Sequence, residues 1–142
     1  MKYLLDTCVI SELIRTQPAL AVVGWLNQQS ECDLYLSTLT FGEIKKGIEK
    51  AADPDRKKKL VQWVEYDLKR RFENRIIPVD LAVATTWGRV QGACEKKGLP
   101  MPTIDGLIAA SALAYQCIVV TRNTEDMHQS QVELFNPWLV AV

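Results

Sequence analysis

Four acidic residues, far apart in the sequence, are the residues of this chain that could carry chemistry. Asp6, Glu43, Asp105 and Asp126 each lie near the predicted end of a strand or the predicted start of a helix. Carboxylates that are brought together repel one another unless a cation neutralises them. Ligand sets made only of oxygen favour hard divalent ions such as Mg²⁺ or Mn²⁺, and these ions promote phosphodiester hydrolysis. These residues therefore predict a metal-dependent nuclease.

The segments around the acids alternate between strand patterns and helix patterns. Short apolar or β-branched runs predict strands at Tyr3–Leu5, Leu34–Ser37, Ile76–Val79, Ile118–Val120 and Val132–Phe135. Helical spacing follows Thr7 and Thr40, and also covers residues 19–28, 53–72, 80–98 and 104–115. Strands that alternate with helices imply right-handed crossovers. The pattern predicts an α/β fold of three α/β/α layers, with a mostly parallel central sheet.

This predicted sheet gives the four acids a common location. In open parallel sheets, ligands bind outside the carboxyl ends of the strands, where the following helices begin. Asp6 ends the first strand, Glu43 follows the second, Asp105 opens the most apolar helix and Asp126 follows the strand that ends at Val120. We therefore expect all four carboxylates at one edge of the sheet.

Each acid also has a purely structural explanation. Thr40–Glu43 matches a capping box, in which the glutamate would bond back to the start of its own helix. Thr103 is a candidate N-cap for the next helix, where Asp105 would only complement the helix dipole. Asp6 could be an N-cap, and Asp126 an ordinary loop aspartate. The functional interpretation depends on all four meeting at one edge.

Composition and charge set limits on the class of protein. The chain has 142 residues and 48% apolar composition, as expected of a single domain spanning residues 1–142. Seventeen basic and seventeen acidic residues cancel, so no overall attraction to nucleic acid is predicted. The four cysteines show no CxxC spacing, and the N-terminal apolar run is too short for a signal segment or a membrane span. We expect a cytoplasmic protein that is not in a membrane.

Several motifs together resemble the PIN-domain nucleases, and among them the VapC and FitB type of toxin from bacterial toxin–antitoxin pairs. The similarity extends from one end of the chain to the other. The matching segments are Leu4–Thr7, Ser11–Leu13, Leu36–Ile44, Asp105–Ala110, Val120–Asn123 with Asp126, and Leu134–Trp138.

This resemblance implies an endoribonuclease that depends on Mg²⁺, or on Mn²⁺, and that a small antitoxin silences. Asp6, Glu43, Asp105 and Asp126 match the acidic quartet of the family, as catalytic residues and as metal ligands. Thr7, Thr121 and Asn123 occupy positions that help to place the metal or the RNA substrate. The family also implies a homodimer and a hetero-oligomer with the antitoxin.

Two positions depart from the family pattern. Cys8 stands where many relatives carry asparagine, which predicts the loss of a polar contact beside Asp6. Met127 and His128 replace the usual aromatic residue after Asp126. Neither departure removes a carboxylate.

Other residues have weaker claims to function. The basic runs 56–59 and 69–71 could bind RNA, but interleaved acids favour a solvated helix face. Trp63, Tyr66 and Phe72 could form an antitoxin groove or a dimer surface. His128 lacks a partner motif for acid–base catalysis.

Two alternatives to a toxin remain open from the sequence. The first is a PIN-domain nuclease that processes RNA outside a toxin pair, because the same acidic site would serve it. The second is a non-catalytic PIN-like scaffold, in which the acids act only as helix caps.

Overall fold

A computed structural model describes residues 1–141 and contains one five-stranded sheet. The strands are β1 (Tyr3–Leu5), β2 (Leu34–Ser37), β3 (Ile76–Ile77), β4 (Ile118–Val120) and β5 (Leu134–Phe135). Their order is β3-β2-β1-β4-β5, and every neighbouring pair is parallel. The predicted α/β fold with a parallel sheet is confirmed, and β3 lies on one edge, where the proline that follows it costs no ladder hydrogen bond. The last strand is shorter than predicted, because only Leu134 and Phe135 pair with β4.

Helices cover both faces of this sheet. They are α1 (Thr7–Leu13), α2 (Leu20–Gln28), α3 (Thr38–Lys50), α4 (Pro54–Gln62), α5 (Lys69–Arg71), α6 (Leu81–Lys96), α7 (Thr103–Tyr115) and α8 (Thr124–Met127). None of the helices in residues 1–141 has the length and apolar character needed to cross a membrane.

The sheet separates two hydrophobic clusters, because successive strand residues point to opposite faces. Leu5 and Val120 belong to the cluster that α1, α2, α3 and the residue 60–72 region complete. Leu4 and Val119 belong to the cluster formed with α6 and α7. All four side chains are fully buried, so the short central strands are fixed from both sides.

The predicted start of α3 at Thr40 is wrong. The helix begins at Thr38, and the Ser37 hydroxyl at its N-cap accepts a hydrogen bond of 3.0 Å from the Leu39 N–H. Ser37 is the last residue of β2, so one residue both ends the strand and caps the helix. Thr40 lies inside the helix and is fully buried. The capping-box explanation of Glu43 therefore fails.

The helix predicted over residues 53–72 is interrupted. Asp53 caps α4 and Pro54 occupies its first turn, but Trp63–Leu68 forms a wider π-helical segment before α5. In a regular α-helix of 3.6 residues per turn, apolar residues at every fourth position drift around the axis by about 40° per step. The wider turn offsets this drift, and Leu68 and Phe72 remain in the core.

Two further helix ends test the sequence prediction. Asp80 caps α6 by accepting a 2.9 Å hydrogen bond from the Val83 N–H, and Gly98 follows the helix with a φ of 72°. The helix predicted over residues 80–98 is thus confirmed, with an aspartate at its cap and a glycine after its end. Thr103 is not the N-cap of α7: it is the first helical residue, and Pro102 occupies the cap without a side-chain bond.

Candidate active site

The carboxyl ends of β1 and β4 form a crevice at the centre of the sheet. From β1 the chain proceeds outward to β2 and β3 on one side, while β4 and β5 lie on the other. Parallel α/β sheets bind ligands where the strand order reverses in this way. Asp6 immediately follows β1 and Thr121 immediately follows β4, so these two residues face each other across the crevice.

Asp6 is a buried carboxylate that the neighbouring residues hold in place. Only 4% of its surface is exposed. Its Oδ1 accepts from the Thr7 N–H at 2.8 Å as it caps α1, and its Oδ2 accepts from the Thr121 hydroxyl at 2.8 Å. Burial raises the pKa of Asp6, the bonds from Thr121 and Thr7 oppose this, and the Glu43 charge adds to the rise. Asp6 is thus an N-cap, as its structural explanation held, and also part of an acidic cluster.

Glu43 extends toward α1 rather than toward its own helix start. Its Oε1 accepts a 2.5 Å hydrogen bond from the Thr7 hydroxyl. The buried Thr40 hydroxyl lies 3.4 Å from the same Thr7 oxygen. Thr7 therefore connects the first two acids, through its backbone N–H to Asp6 and through its hydroxyl to Glu43.

Asp105 lies close enough to the other three acids for their charges to affect its pKa. It lies in the first turn of α7 and is half-buried. Burial, followed by the charges of Asp6, Asp126 and Glu43, raises the pKa of Asp105 to about 6. A carboxyl group that is destabilised by three neighbouring carboxylates is expected where a cation normally compensates them.

Asp126 and Asn123 lie on the exposed side of the crevice. Asp126 belongs to the short helix α8, not to a loop, and its side chain is exposed. Asn123 donates its backbone N–H to the Thr121 hydroxyl oxygen at 3.0 Å. Met127 after Asp126 is fully buried and packs in the α7 cluster, whereas His128 is exposed. The departure from the family pattern at Met127 thus fills the core and leaves Asp126 directed outward.

These carboxylates lie near one another but are not arranged as a set of metal ligands. Within residues 1–141, no three acidic, histidine or cysteine side chains are already grouped as metal ligands. The donor chemistry nevertheless fits a hard divalent ion, because the quartet supplies only carboxylate oxygens. Mutual repulsion at Asp105 is the kind of strain that such an ion relieves.

Cys8 makes a polar contact with Asp6, although the sequence predicted that a cysteine here would remove one. Its Sγ lies 3.9 Å from Asp6 Oδ2 and 3.6 Å from the Thr121 hydroxyl, and it accepts from the Arg122 N–H at 3.5 Å. Burial and the Asp6 charge raise the pKa of this thiol. The expectation of a lost contact is therefore wrong: a protonated thiol bridges α1 and the end of β4.

Sequence reasoning missed the contacts of two buried polar residues, Thr40 and Glu12. The sequence predicts Thr40 as a helix cap, but its hydroxyl lies 3.4 Å from the Thr7 hydroxyl. Glu12 is buried and accepts a 2.7 Å hydrogen bond from the Ala19 N–H, so it ties α1 to the start of α2. A glutamate on the apolar face of a helix was the sequence signal that could have identified Glu12.

Comparison with known proteins assigns the family. The PIN domain family profile matches residues 3–132. The chain belongs to the PIN domain family. This PIN domain chain is 36% identical over 135 residues to Toxin FitB of Neisseria gonorrhoeae, covering 95% of this chain and 97% of the relative. It is 32% identical over 136 residues to VapC ribonuclease Y4jK of Sinorhizobium fredii, covering 94% and 96%.

A solved structure extends this similarity to three dimensions. The crystal structure of FitAcB from Neisseria gonorrhoeae matches with a TM-score of 0.93 at 35% identity. The match covers 97% of this PIN domain chain and 99% of that chain. The family and the PIN-like fold that the sequence motifs predicted are therefore confirmed.

Proposed function

We propose that this PIN domain protein is a metal-dependent endoribonuclease and the toxin of a type II toxin–antitoxin pair. The observation that carries the proposal is the meeting of the four acids: Thr7 bonds to both Asp6 and Glu43, and Asp105 lies close enough to Asp6, Asp126 and Glu43 for their charges to act on it. Residues up to 120 positions apart thereby act on one carboxyl group. Relatives named as a toxin and as a ribonuclease, each similar over nearly the whole chain, supply the reaction class.

Asp6, Glu43, Asp105 and Asp126 would together hold Mg²⁺ or Mn²⁺. A divalent ion bound to such oxygens supplies an activated water and shields the negative charge that develops on a phosphodiester. The chain itself fixes the geometry of the carboxylates. Thr121 orients Asp6, Thr7 orients Glu43, and Asn123 orients Thr121 in turn. The first turn of α7 adds helix-dipole positive charge that favours a substrate phosphate beside Asp105.

The partner that silences the enzyme would be a small antitoxin. An apolar cavity of about 150 Å³ opens beside Thr7 and Glu43, and Ile10, Ile14 and Trp63 line it. An amphipathic segment could lay its apolar residues there and block access to Glu43. Phe72 is fully buried and cannot contact a partner. The groove predicted from Trp63, Tyr66 and Phe72 is therefore wrong for Phe72. A homodimer in the cytoplasm is the assembly that we propose.

The decisive experiment is the incubation of purified protein with total RNA, with Mn²⁺ and with EDTA. We expect fragments only with Mn²⁺, and their loss in the Asp6→Asn and Asp105→Asn variants. Asp67→Asn is the matched control, because Asp67 is an exposed acid in the π-helical segment. Circular dichroism checks that each variant is folded. Wild-type turnover in either site variant would overturn the assignment of that residue.

The two alternatives predict different results. A nuclease outside a toxin pair cleaves RNA in the same assay, but its expression does not arrest growth in a way that a co-expressed small partner relieves. A non-catalytic scaffold yields no fragments, and in calorimetry it shows no saturable Mn²⁺ binding that depends on Asp6 and Asp105.

A further inference from the structure

Arg122 is an exposed cation at the mouth of the acidic crevice. It follows Thr121, whose hydroxyl bonds to Asp6, and its own backbone N–H donates to Cys8 Sγ. The main chain therefore places the backbone of Arg122 beside the quartet. Among the described residues, no carboxylate lies within ion-pairing distance of the guanidinium.

The Arg122 guanidinium packs on the ring of Trp138. The Arg122 guanidinium carbon lies 4.3 Å from the centroid of the Trp138 ring. A planar guanidinium over an indole face is favourable, because the ring quadrupole attracts the charge without neutralising it. The Trp138 indole N–H is buried and has no hydrogen-bond partner within residues 1–141, so the ring is set with its edge inside and a face toward Arg122.

The backbone fixes the pair. The Thr121 N–H donates to the Phe135 carbonyl at 2.9 Å, which aligns the end of β4 with β5. One residue after Phe135, Asn136 caps the turn of Pro137–Leu139 by accepting from the Trp138 N–H at 2.9 Å. These hydrogen bonds thus fix the backbone on both sides of the contact.

Charge gives this arrangement a function. RNA is a polyanion, the protein has zero formal net charge, and its site adds four carboxylates. A local cation is therefore needed to draw the strand in. A cation paired with Asp6 or Asp126 would compete with the metal, whereas a cation held on Trp138 keeps its donors free.

We propose that Arg122, supported by Trp138, binds a backbone phosphate of the RNA strand next to the scissile bond. This inference rests on the proposed ribonuclease function. It assigns a phosphate contact, so it contributes affinity and register without reading the base sequence.

The test measures initial rates of RNA cleavage with Mn²⁺ at sub-saturating RNA over a range of KCl concentrations. Each phosphate contact to a single strand contributes about 0.7 to the slope of log rate against log salt. We expect Arg122→Ala to lower the magnitude of this slope by about 0.7 and the low-salt rate by roughly tenfold. The maximal rate at saturating RNA should remain within about twofold, because the contact is equal in the bound and reacting states.

Three further variants separate charge from packing. Arg122→Lys should keep the wild-type slope, because the charge remains. Trp138→Leu should keep the slope but raise KM, because the cation loses its support. Arg56→Ala is the matched control: Arg56 is an exposed arginine in α4, beyond the far end of α3, about 20 Å from the carboxyl edge of the sheet. It should leave the slope unchanged.

The outcomes distinguish this inference from the proposed function. If wild type cleaves RNA and Arg122→Ala has the wild-type slope, the phosphate contact is refuted and the nuclease stands. A purely structural role of the pair would give that result together with a lower melting temperature. If wild type itself yields no fragments, the proposed function fails first.

Discussion

At the scale of the residue, one hydroxyl organises the crevice. Thr121 is fully buried, donates to Asp6 Oδ2, and accepts from the Asn123 N–H. Replacing it by the isosteric valine leaves the buried Oδ2 of Asp6 and the N–H of Asn123 without that partner. We expect Thr121→Val to lower the free energy of unfolding by about 1–3 kcal/mol.

The control for this prediction is Thr121→Ser, which keeps the hydroxyl and loses one methyl group. Urea unfolding of both variants supplies the comparison. The serine variant should lie closer to wild type in stability and in RNA cleavage. Equal losses in the two variants would mean that packing of the methyl group, not the hydrogen bonds, matters at this position.

The raised pKa of Asp105 predicts a pH-dependent stability of the metal-free protein. The folded pKa is about 6 against an ordinary value of 3.8, so folding favours the protonated form. That contribution is complete below about pH 4 and is lost as the pH rises through 6. We expect Asp105→Asn to be more stable than wild type by about 1–2 kcal/mol at pH 7.5, after allowance for the partial exposure of the group.

The measurement is thermal unfolding in EDTA from pH 4 to pH 8. At pH 4 the two proteins should agree, because an amide and a protonated carboxyl group carry the same charge. A constant difference at every pH would point to packing at residue 105, and no difference at pH 7.5 would show that the carboxylates are too distant to interact.

At the scale of the element, the start of α3 depends on Ser37. Its side chain is fully buried and accepts from the Leu39 N–H. We expect Ser37→Ala to cost about 1 kcal/mol of stability, since it removes the N-cap. Thr38→Ala is the matched control, because Thr38 is exposed in the first turn and has no cap bond. Chemical denaturation of both variants tests this, and an equal loss for Thr38→Ala would contradict it.

The same helix start shows what sequence alone can and cannot predict. Ser37, Thr38 and Thr40 are all plausible caps by residue type, and only the direction in which the chain leaves β2 selects the first. The strands β1, β2 and β4 were predictable because each is a short apolar run closed by a polar residue. The π-helical segment was not, because a four-residue apolar repeat only shows that one face is buried.

The candidate site was predictable to a similar degree. The rule that ligands bind at the carboxyl ends of parallel strands was enough to expect Asp6 and Asp105 at one edge. The rule did not predict the hydrogen bond from Thr7 to Glu43 or the one from the Arg122 N–H to the Cys8 sulfur. Both connect segments that are distant in sequence. Contacts of this kind depend on how α1 packs against α3 and against the end of β4.

At the scale of the whole molecule, the four acids come from elements spread over most of the chain. Asp6 follows the first strand and Asp126 lies in the last α-helix, with α3 and α7 supplying the other two. A ligand that binds all four carboxylates binds only the folded state, because the unfolded chain does not bring them together. Such a ligand stabilises the whole fold by mass action.

We therefore expect Mn²⁺ to raise the melting temperature of wild type by roughly 5–10 °C at about one hundred times its dissociation constant. In Asp105→Asn the rise should be much smaller, although this variant is the more stable protein in EDTA at neutral pH. Asp105→Asn should therefore raise the melting temperature in EDTA and reduce the rise that Mn²⁺ causes. This combination, measured by calorimetry, separates a metal site from a helix-capping role. Asp67→Asn should behave as wild type in both conditions. An equal Mn²⁺ response in Asp105→Asn would mean that the ion binds elsewhere, and the four carboxylates would then be structural.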